Sequence, residues 1–193
     1  MIGIDEVGRG ALAGPLVVAG CYFTENPSFT RQLNDSKLLS RKKREELDSQ
    51  IKSNTIFKIV TISAEDVDNY GLTKSIQKAI LIILKSMPKD MKIMMDGKYN
   101  FLKNTVYYGR SEVVIKADQI YPCVMASSII AKVERDRMMR EYSKKHQEYG
   151  FETNVGYGTQ QHLSGLKLYG ASPIHRKTFK PVNELLQTKA LKE

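Results

Sequence analysis

Three acidic residues close apolar, β-branched runs: Asp5 ends M-I-G-I-D, Asp96 ends K-I-M-M-D and Asp118 ends V-V-I-K-A-D. A carboxylate beside an apolar strand is costly unless it is paired, hydrogen-bonded or bound to a cation. Taken singly, each is better read as a turn former or a helix cap, and Asp96-Gly97 is an ordinary turn dipeptide. Taken together, they predict several carboxylates converging at one edge of a sheet. Like charges repel there, and a divalent cation relieves the repulsion. An oxygen-only donor set, in a chain with 3 histidines, points to Mg²⁺ or Mn²⁺ rather than zinc. Two such ions about 4 Å apart activate water on one side of a phosphate and stabilise the leaving oxygen on the other.

Glu6 joins this set only under a geometric condition. Adjacent strand residues point to opposite faces, so Asp5 and Glu6 share a site only if the strand ends or bends there. Val7-Gly8 is the place for it; otherwise Glu6 is a surface or edge charge. The segment Gly8-Arg9-Gly10-Ala11-Leu12-Ala13 has the G-x-G-x-x-A form of a dinucleotide fingerprint. That fingerprint must open a helix, whereas Gly14-Pro15 and the β-type run LVVAGCYF follow here. Two readings remain. One is a plain tight turn. The other is a loop whose glycines let backbone amides approach a nucleic-acid backbone, with Arg9 as a planar cation beside the acids. No nucleophilic triad is spaced in the chain, and His162, Ser172 and His175 are expected to be structural.

The charge balance names a partner class. The chain has 30 Lys+Arg against 21 Asp+Glu, a net charge of +9, with a pI near 9.4. Such an excess attracts polyanions, of which nucleic acid is the commonest, although a basic and inert surface has the same composition. Basic residues gather at 37–44, 132–145 and 175–180, inside patterned sequence rather than in a tail. That distribution favours a folded nucleic-acid binder. The uncharged stretch 11–23 is too short for a bilayer span, and Asp5 and Glu6 stand where a secretory signal needs basic residues. Two cysteines, Cys21 and Cys123, make no disulfide framework, so a reducing cytoplasm is expected.

Runs rich in β-branched residues predict strands at 2–5, 16–23, 55–62, 92–96 and 112–117. Helices are predicted from a Ser40 cap to about 52, from a Ser63-x-x-Asp66 cap through an interruption at Gly71 to Met87, and from Pro122 to about 146. Two shorter ones follow, near 160–168 and 181–190. The first three strands come without two crossover helices between them, so part of the sheet must be antiparallel. The expected fold is α/β: a mixed five-stranded sheet flanked by helices over residues 1–150. A small C-terminal helical extension, 151–193, is expected to pack on that core as one structural unit.

Collectively these segments resemble ribonuclease HII. The carriers are G-I-D-E-V-G-R-G, N-D-S-K-L-L-S, M-D-G, K-A-D-x-x-Y-P, A-S-S-I-I-A-K-V-E-R-D, G-Y-G-T and S-P-I-H-R-K-T-F, in the family's order across nearly the whole chain. The resemblance implies a ribonuclease H-like fold and a metal-dependent endonuclease. It would cut the RNA strand of RNA/DNA hybrids and incise 5′ of ribonucleotides embedded in duplex DNA. It would leave 3′-hydroxyl and 5′-phosphate ends, in DNA replication and repair. By the family pattern Asp5, Glu6, Asp96 and Asp118 are the metal-binding acids. Gly8, Arg9 and Gly10 contact the ribose 2′-hydroxyl and neighbouring backbone, and Tyr157 packs on the sugar after the ribonucleotide. Lys37, with Lys132 and Arg176 behind it, would touch phosphates, although a solvated charge explains these three as well. The sister family, ribonuclease HIII, has threonine where Arg9 stands and an extra N-terminal domain, for which the four residues before Asp5 leave no room. No sliding-clamp binding tail is visible, no membrane is expected as a partner, and a monomer is the expected state.

Overall fold

The computed structural model describes residues 1–190, with side chains to residue 188. Its strands are β1 (Ile2–Val7), β2 (Leu16–Tyr22), β3 (Ile56–Ile62), β4 (Ile93–Asp96) and β5 (Ser111–Val114). They form one sheet in the order β3-β2-β1-β4-β5. β1 runs antiparallel to β2 and parallel to β4, and β4 runs parallel to β5, so the sheet is mixed as expected. The main helices are α1 (Arg41–Asn54), α2 (Ala64–Tyr70), α3 (Leu72–Lys85) and α4 (Pro122–Lys145). The one-turn α5 (Phe151–Asn154), α6 (Gln160–Tyr169) and α7 (Lys180–Ala190) follow. Part of the C-terminal end, where the sequence shows no clamp-binding motif, lies outside the described residues.

Local chemistry sets the boundaries. Ser40 Oγ accepts from the Lys43 amide and opens α1, and Ser63 Oγ accepts from the Asp66 amide and opens α2. Gly71 closes α2 at φ 76°, a conformation a side chain disfavours, and α3 starts at the next residue. The predicted Gly71 interruption is therefore a helix boundary.

Among the described residues the chain divides into two compact units: one comprises 1–7, 17–61 and 76–134, the other 8–16, 62–75 and 135–190. In the first, the strand pattern sorts residues by face. Val17, Ala19 and Cys21 pack with Leu47 and Ile51 of α1 and with Ala126, Ile129 and Ile130 of α4. On the other face, a Cβ on Gly20 would meet Ile83 of α3 at 2.3 Å, so only glycine lets that helix approach so closely. With helices on both faces, β2 reads as a continuous apolar run. In the second unit Met139, Tyr149, Phe151 and Ala13 form one cluster, and Leu12, Leu166 and Val182 form another. The Asp68 carboxylate accepts from the backbone amides of Lys177 and Thr178 at 2.7 and 3.0 Å, fixing the start of the last helix.

Candidate functional site

Register brings the first two acids together. Ile2, Gly3 and Ile4 of β1 lie opposite Ile93, Met94 and Met95 of β4, so Asp5 and Asp96 are next in the series. Neighbouring strands run about 4.8 Å apart, and in a parallel pair residues in register share a face. That face is the one covered by α4: a Cβ on Gly3 would meet the Cys123 carbonyl carbon at 2.2 Å, and Met94 packs with Cys123 and Val124. Asp5 is buried on it, within hydrogen-bonding reach of Ser128 from α4.

Asp118 arrives differently from expectation. β5 ends at Val114, three residues before the predicted end of the strand. Lys116 then turns left-handed at φ 61° into a 3₁₀ turn, Ala117–Gln119. The Ala117 amide donates to Asp96 Oδ1 at 2.8 Å, so one acid anchors the turn that carries the next. Asp118 is buried there, 4% exposed, which a loop carboxylate does not tolerate without compensation.

The charges of these acids reach one another. Burial pushes the Asp5 carboxyl well above the usual carboxylate range; the charges of Glu6 and then Asp96 push the same way, against the Ser128 hydroxyl and the Glu6 amide. Burial also raises Asp118, followed by Asp96 and Asp35, and Lys37 opposes them. Asp5 and Asp118 thus both feel Asp96, the middle member. Among the described residues, however, no three His, Cys, Asp or Glu side chains stand in a closed ligating arrangement. The donor chemistry suits a hard divalent cation: carboxylate oxygens only, desolvated and mutually repelling.

Glu6 does not meet its condition. The ladder continues regularly through Glu6 opposite Val18 and Val7 opposite Val17, and the chain breaks only at Gly8. The alternation therefore puts Glu6 on the face of Ile4 and Gly20, away from Asp5. Its charge still reaches Asp5, where it is the largest contribution after burial.

Lys37 is exposed, with its Nζ 3.8 Å from Asp118 Oδ2. The residue that holds it there, Asp35, was not singled out from sequence. Its Oδ1 accepts from the Lys37 amide at 2.9 Å and its Oδ2 from Gln119 Nε2 at 3.1 Å. The buried Asp35 thereby ties the Lys37 loop to the Asp118 turn, and Ser36 and Ser128 hydroxyls bond at 3.0 Å beside it. The signal was the N-D-S-K block itself, in which an acid two residues before a lysine is a turn-former.

The second unit holds the glycine loop and Tyr157. Gly8 has φ 88° and an added Cβ would lie 2.2 Å from Arg135 Nε, so its glycine is structural. Gly10 has open space around the Cβ position, so packing does not require its glycine. Tyr157 is 38% exposed, and its ring centroid lies 5.5 Å from the Arg135 guanidinium carbon. Arg135 itself is fully buried, donating from Nε to Pro15 O at 2.9 Å and from Nη2 to Ala13 O at 3.3 Å. Sequence reading placed it in a helix-borne basic run, where only its place in K-V-E-R-D distinguished it. Arg176 is a correction. It touches no solvent, and its guanidinium donates to Gly14 O at 3.2 and 3.1 Å and to Arg9 O at 3.1 Å. A side chain committed to backbone carbonyls and closed to water cannot also receive a phosphate. Lys132 is half-buried.

A mixed sheet in this order, flanked by helices and with acids at the C-terminal ends of two central parallel strands, defines a ribonuclease H-like nuclease. A family model described as Ribonuclease HII matches residues 2–182. The chain is 42% identical to ribonuclease HII of Pelagibacter ubique over 188 residues, covering 96% of this chain and 98% of the relative. It is 43% identical to that of Aliarcobacter butzleri over 93% of this chain and 90% of the relative. Among solved structures it superposes on ribonuclease H2 from Pyrococcus horikoshii with a TM-score of 0.81, at 27% identity and 97% coverage of both chains. The ribonuclease HII of a PCNA complex from Archaeoglobus fulgidus gives 0.80 at 29% identity, with 95% of each chain covered. The chain belongs to the ribonuclease HII family. It is therefore a hydrolase, a ribonuclease H endonuclease acting on RNA/DNA. Among the described residues no helix is long and apolar enough to cross a membrane.

Proposed function

We propose that the enzyme cuts the RNA strand of RNA/DNA hybrids and also incises 5′ of single ribonucleotides embedded in duplex DNA, leaving 3′-hydroxyl and 5′-phosphate ends. In this reading it works as a cytoplasmic monomer in ribonucleotide removal. The observation that supports the reading is the parallel register that sets Asp5 and Asp96 on neighbouring strands, with Asp96 anchoring the turn that carries Asp118.

Asp5, Asp96 and Asp118 would hold Mg²⁺ or Mn²⁺, with Glu6 adding charge from the opposite face of the same strand. The cation, when bound, supplies an activated water and charge stabilisation at the phosphate. This chain's own residues do the rest. Asp96 keeps Asp118 in place through the Ala117 amide. Lys37, exposed beside Asp118, would meet a phosphate of the scissile strand. The loop Gly8-Arg9-Gly10 would read the 2′-hydroxyl, the one group that separates RNA from DNA at a nucleotide. Gly10 suits close approach because nothing in the protein occupies the space beside it. Tyr157 would pack its partly exposed ring on the sugar that follows, so that an RNA–DNA junction is sensed.

The deciding experiment uses duplex DNA carrying one ribonucleotide, with Mg²⁺, with Mn²⁺ and with chelator. Metal-dependent incision on its 5′ side is expected; binding without incision in either metal would overturn the proposal. Salt sensitivity of binding decides nothing, because any basic binder releases counterions. For Tyr157→Ala we expect a loss of about tenfold or more on the junction substrate, the scale of one lost stacking contact. A smaller loss is expected on a long hybrid, and equal losses on both would discard the junction role.

A further inference from the structure

Two histidines are buried behind Tyr157, and their hydrogen bonds admit one arrangement of protons. His162 and His175 are 0% and 1% exposed, and their Nε2 atoms lie 2.9 Å apart. The Ser172 amide, which can only donate, is 2.9 Å from His175 Nδ1, so that nitrogen carries the lone pair. The Ser172 hydroxyl, 2.8 Å from the same nitrogen, donates to it as well. The Tyr157 carbonyl, which can only accept, is 3.0 Å from His162 Nδ1, so that nitrogen carries the proton. With both rings neutral, His175 Nε2–H donates to His162 Nε2. The result is a chain with one direction, from the Ser172 amide through both rings to the Tyr157 carbonyl, and every ring nitrogen is satisfied.

An added proton has no place in this chain. On His162 Nε2 it would face the His175 N–H, and on His175 Nδ1 it would face the Ser172 N–H. The surroundings agree. Tyr149 and Phe151 close the rings in, with centroids 4.8 Å from His175 and 5.1 Å from His162, and the Tyr149 hydroxyl is committed to Gly170 O. The charged groups nearby point elsewhere: Arg176 to the Gly14 and Arg9 carbonyls, and Arg135 to Pro15 and Ala13. His146 lies beyond Tyr149 and Phe151, its Nδ1 3.8 Å from Glu148. Burial lowers the pKa of both rings, and the neighbouring His162 helps bring His175 to about 4.

The segment they hold needs holding. Val155, a β-branched residue, is left-handed at φ 43°, a conformation its side chain disfavours, and Gly156 follows at φ 86°, which glycine accepts, so the backbone reaches Tyr157 through one strained residue. We propose that His162 and His175, locked in complementary neutral tautomers, are positioning residues for Tyr157 and so for the discrimination of RNA–DNA junctions. This rests on the junction role of Tyr157 proposed above, and deepens it.

The test has two arms on the full-length enzyme. In the first, kcat and KM are measured on a single-ribonucleotide duplex and on a long RNA/DNA hybrid. His162→Phe keeps the ring volume and removes the donor to Tyr157. It should lower kcat/KM on the junction substrate about tenfold, the scale of one lost hydrogen bond, and change the hybrid rate by less than about twofold on the same scale. His162→Asn, which can still donate to the carbonyl, should restore most of the difference. If Tyr157→Ala shifts the ratio of the two substrates and His162→Phe does not, the positioning role is overturned and the Tyr157 reading stands. If Tyr157→Ala leaves the ratio unchanged, the junction reading itself has failed. The second arm needs no variant and no substrate. Ring ¹⁵N spectra of the wild-type enzyme should show His162 protonated on Nδ1 and His175 on Nε2, unchanged between pH 8 and pH 6. The opposite tautomers, or an imidazolium signal for either ring at pH 6, would overturn the lock.

Discussion

Asp5→Asn is expected to raise the melting temperature of the metal-free enzyme while lowering turnover by at least about 10²-fold, the scale of a lost electrostatic group at a reacting centre. The two effects have one cause. The Asp5 carboxyl is pushed up by burial, by Glu6 and by Asp96. An acid whose folded pKa lies above its unfolded value stabilises the fold while protonated. That contribution is complete below the unfolded pKa and is lost as pH rises through the folded one. At neutral pH, where the unfolded carboxyl is ionised, holding Asp5 in this buried, acid-lined place therefore costs stability in the absence of a cation, and a neutral amide of the same shape removes the cost. Binding should reverse the order. Mg²⁺ or Mn²⁺ should raise the wild-type melting temperature in proportion to occupancy, and raise that of the variant much less. Thermal melts in chelator and across a metal titration check both halves. A variant that melts below the wild type in chelator, or gains as much from metal, would remove Asp5 from a repelling, cation-binding set. Asp96→Asn should also lose turnover while keeping much of its substrate binding. The amide oxygen can still accept from Ala117, and the basic surface is unchanged. Wild-type rates in that variant would exclude Asp96 from the catalytic acids.

The second large effect concerns stability. Arg176→Met should cost about 3 kcal/mol, because it leaves the Gly14 and Arg9 carbonyls without the donors that now reach them. In a chain of this size that corresponds to a fall of about 10 °C in melting temperature. Burial first, and then Arg135, brings the Arg176 pKa down to about 10, so the side chain stays charged at neutral pH. Arg176→Lys should rescue little, since an ammonium cannot spread planar donors over two carbonyls. Differential scanning calorimetry on the three proteins decides it. A methionine variant as stable as the wild type would mean that the loop carbonyls find other donors.

Arg176 also shows where sequence reading fails. It stands in H-R-K-T-F, a basic run whose neighbour Lys177 is exposed, and nothing in residue type tells the buried cation from the solvated one. Only the carbonyls of 9–14, more than 160 positions away, make the difference. Asp35 was hidden for a similar reason: its work is to join the Lys37 loop to Gln119, a pairing across 84 residues. The two histidines are buried and bonded to each other, and their direction of donation depends on an amide and a carbonyl that folding supplies.

What the sequence determined by itself was periodic and local. β-branched runs ending in acids located the strands, serine caps located α1 and α2, and the ordered motif blocks identified the family. The tertiary structure decided which acids meet. Asp5 and Asp96 are adjacent because β1 and β4 pair in parallel register, and Asp118 joins them on a turn anchored by Asp96 rather than at a strand end. Glu6, next to Asp5 in the chain, is carried to the opposite face because the β1–β2 ladder stays regular through Val7. Strand alternation can be read along a chain, but register and face are properties of a pair of strands, and hydrogen bonding to a distant partner selects them.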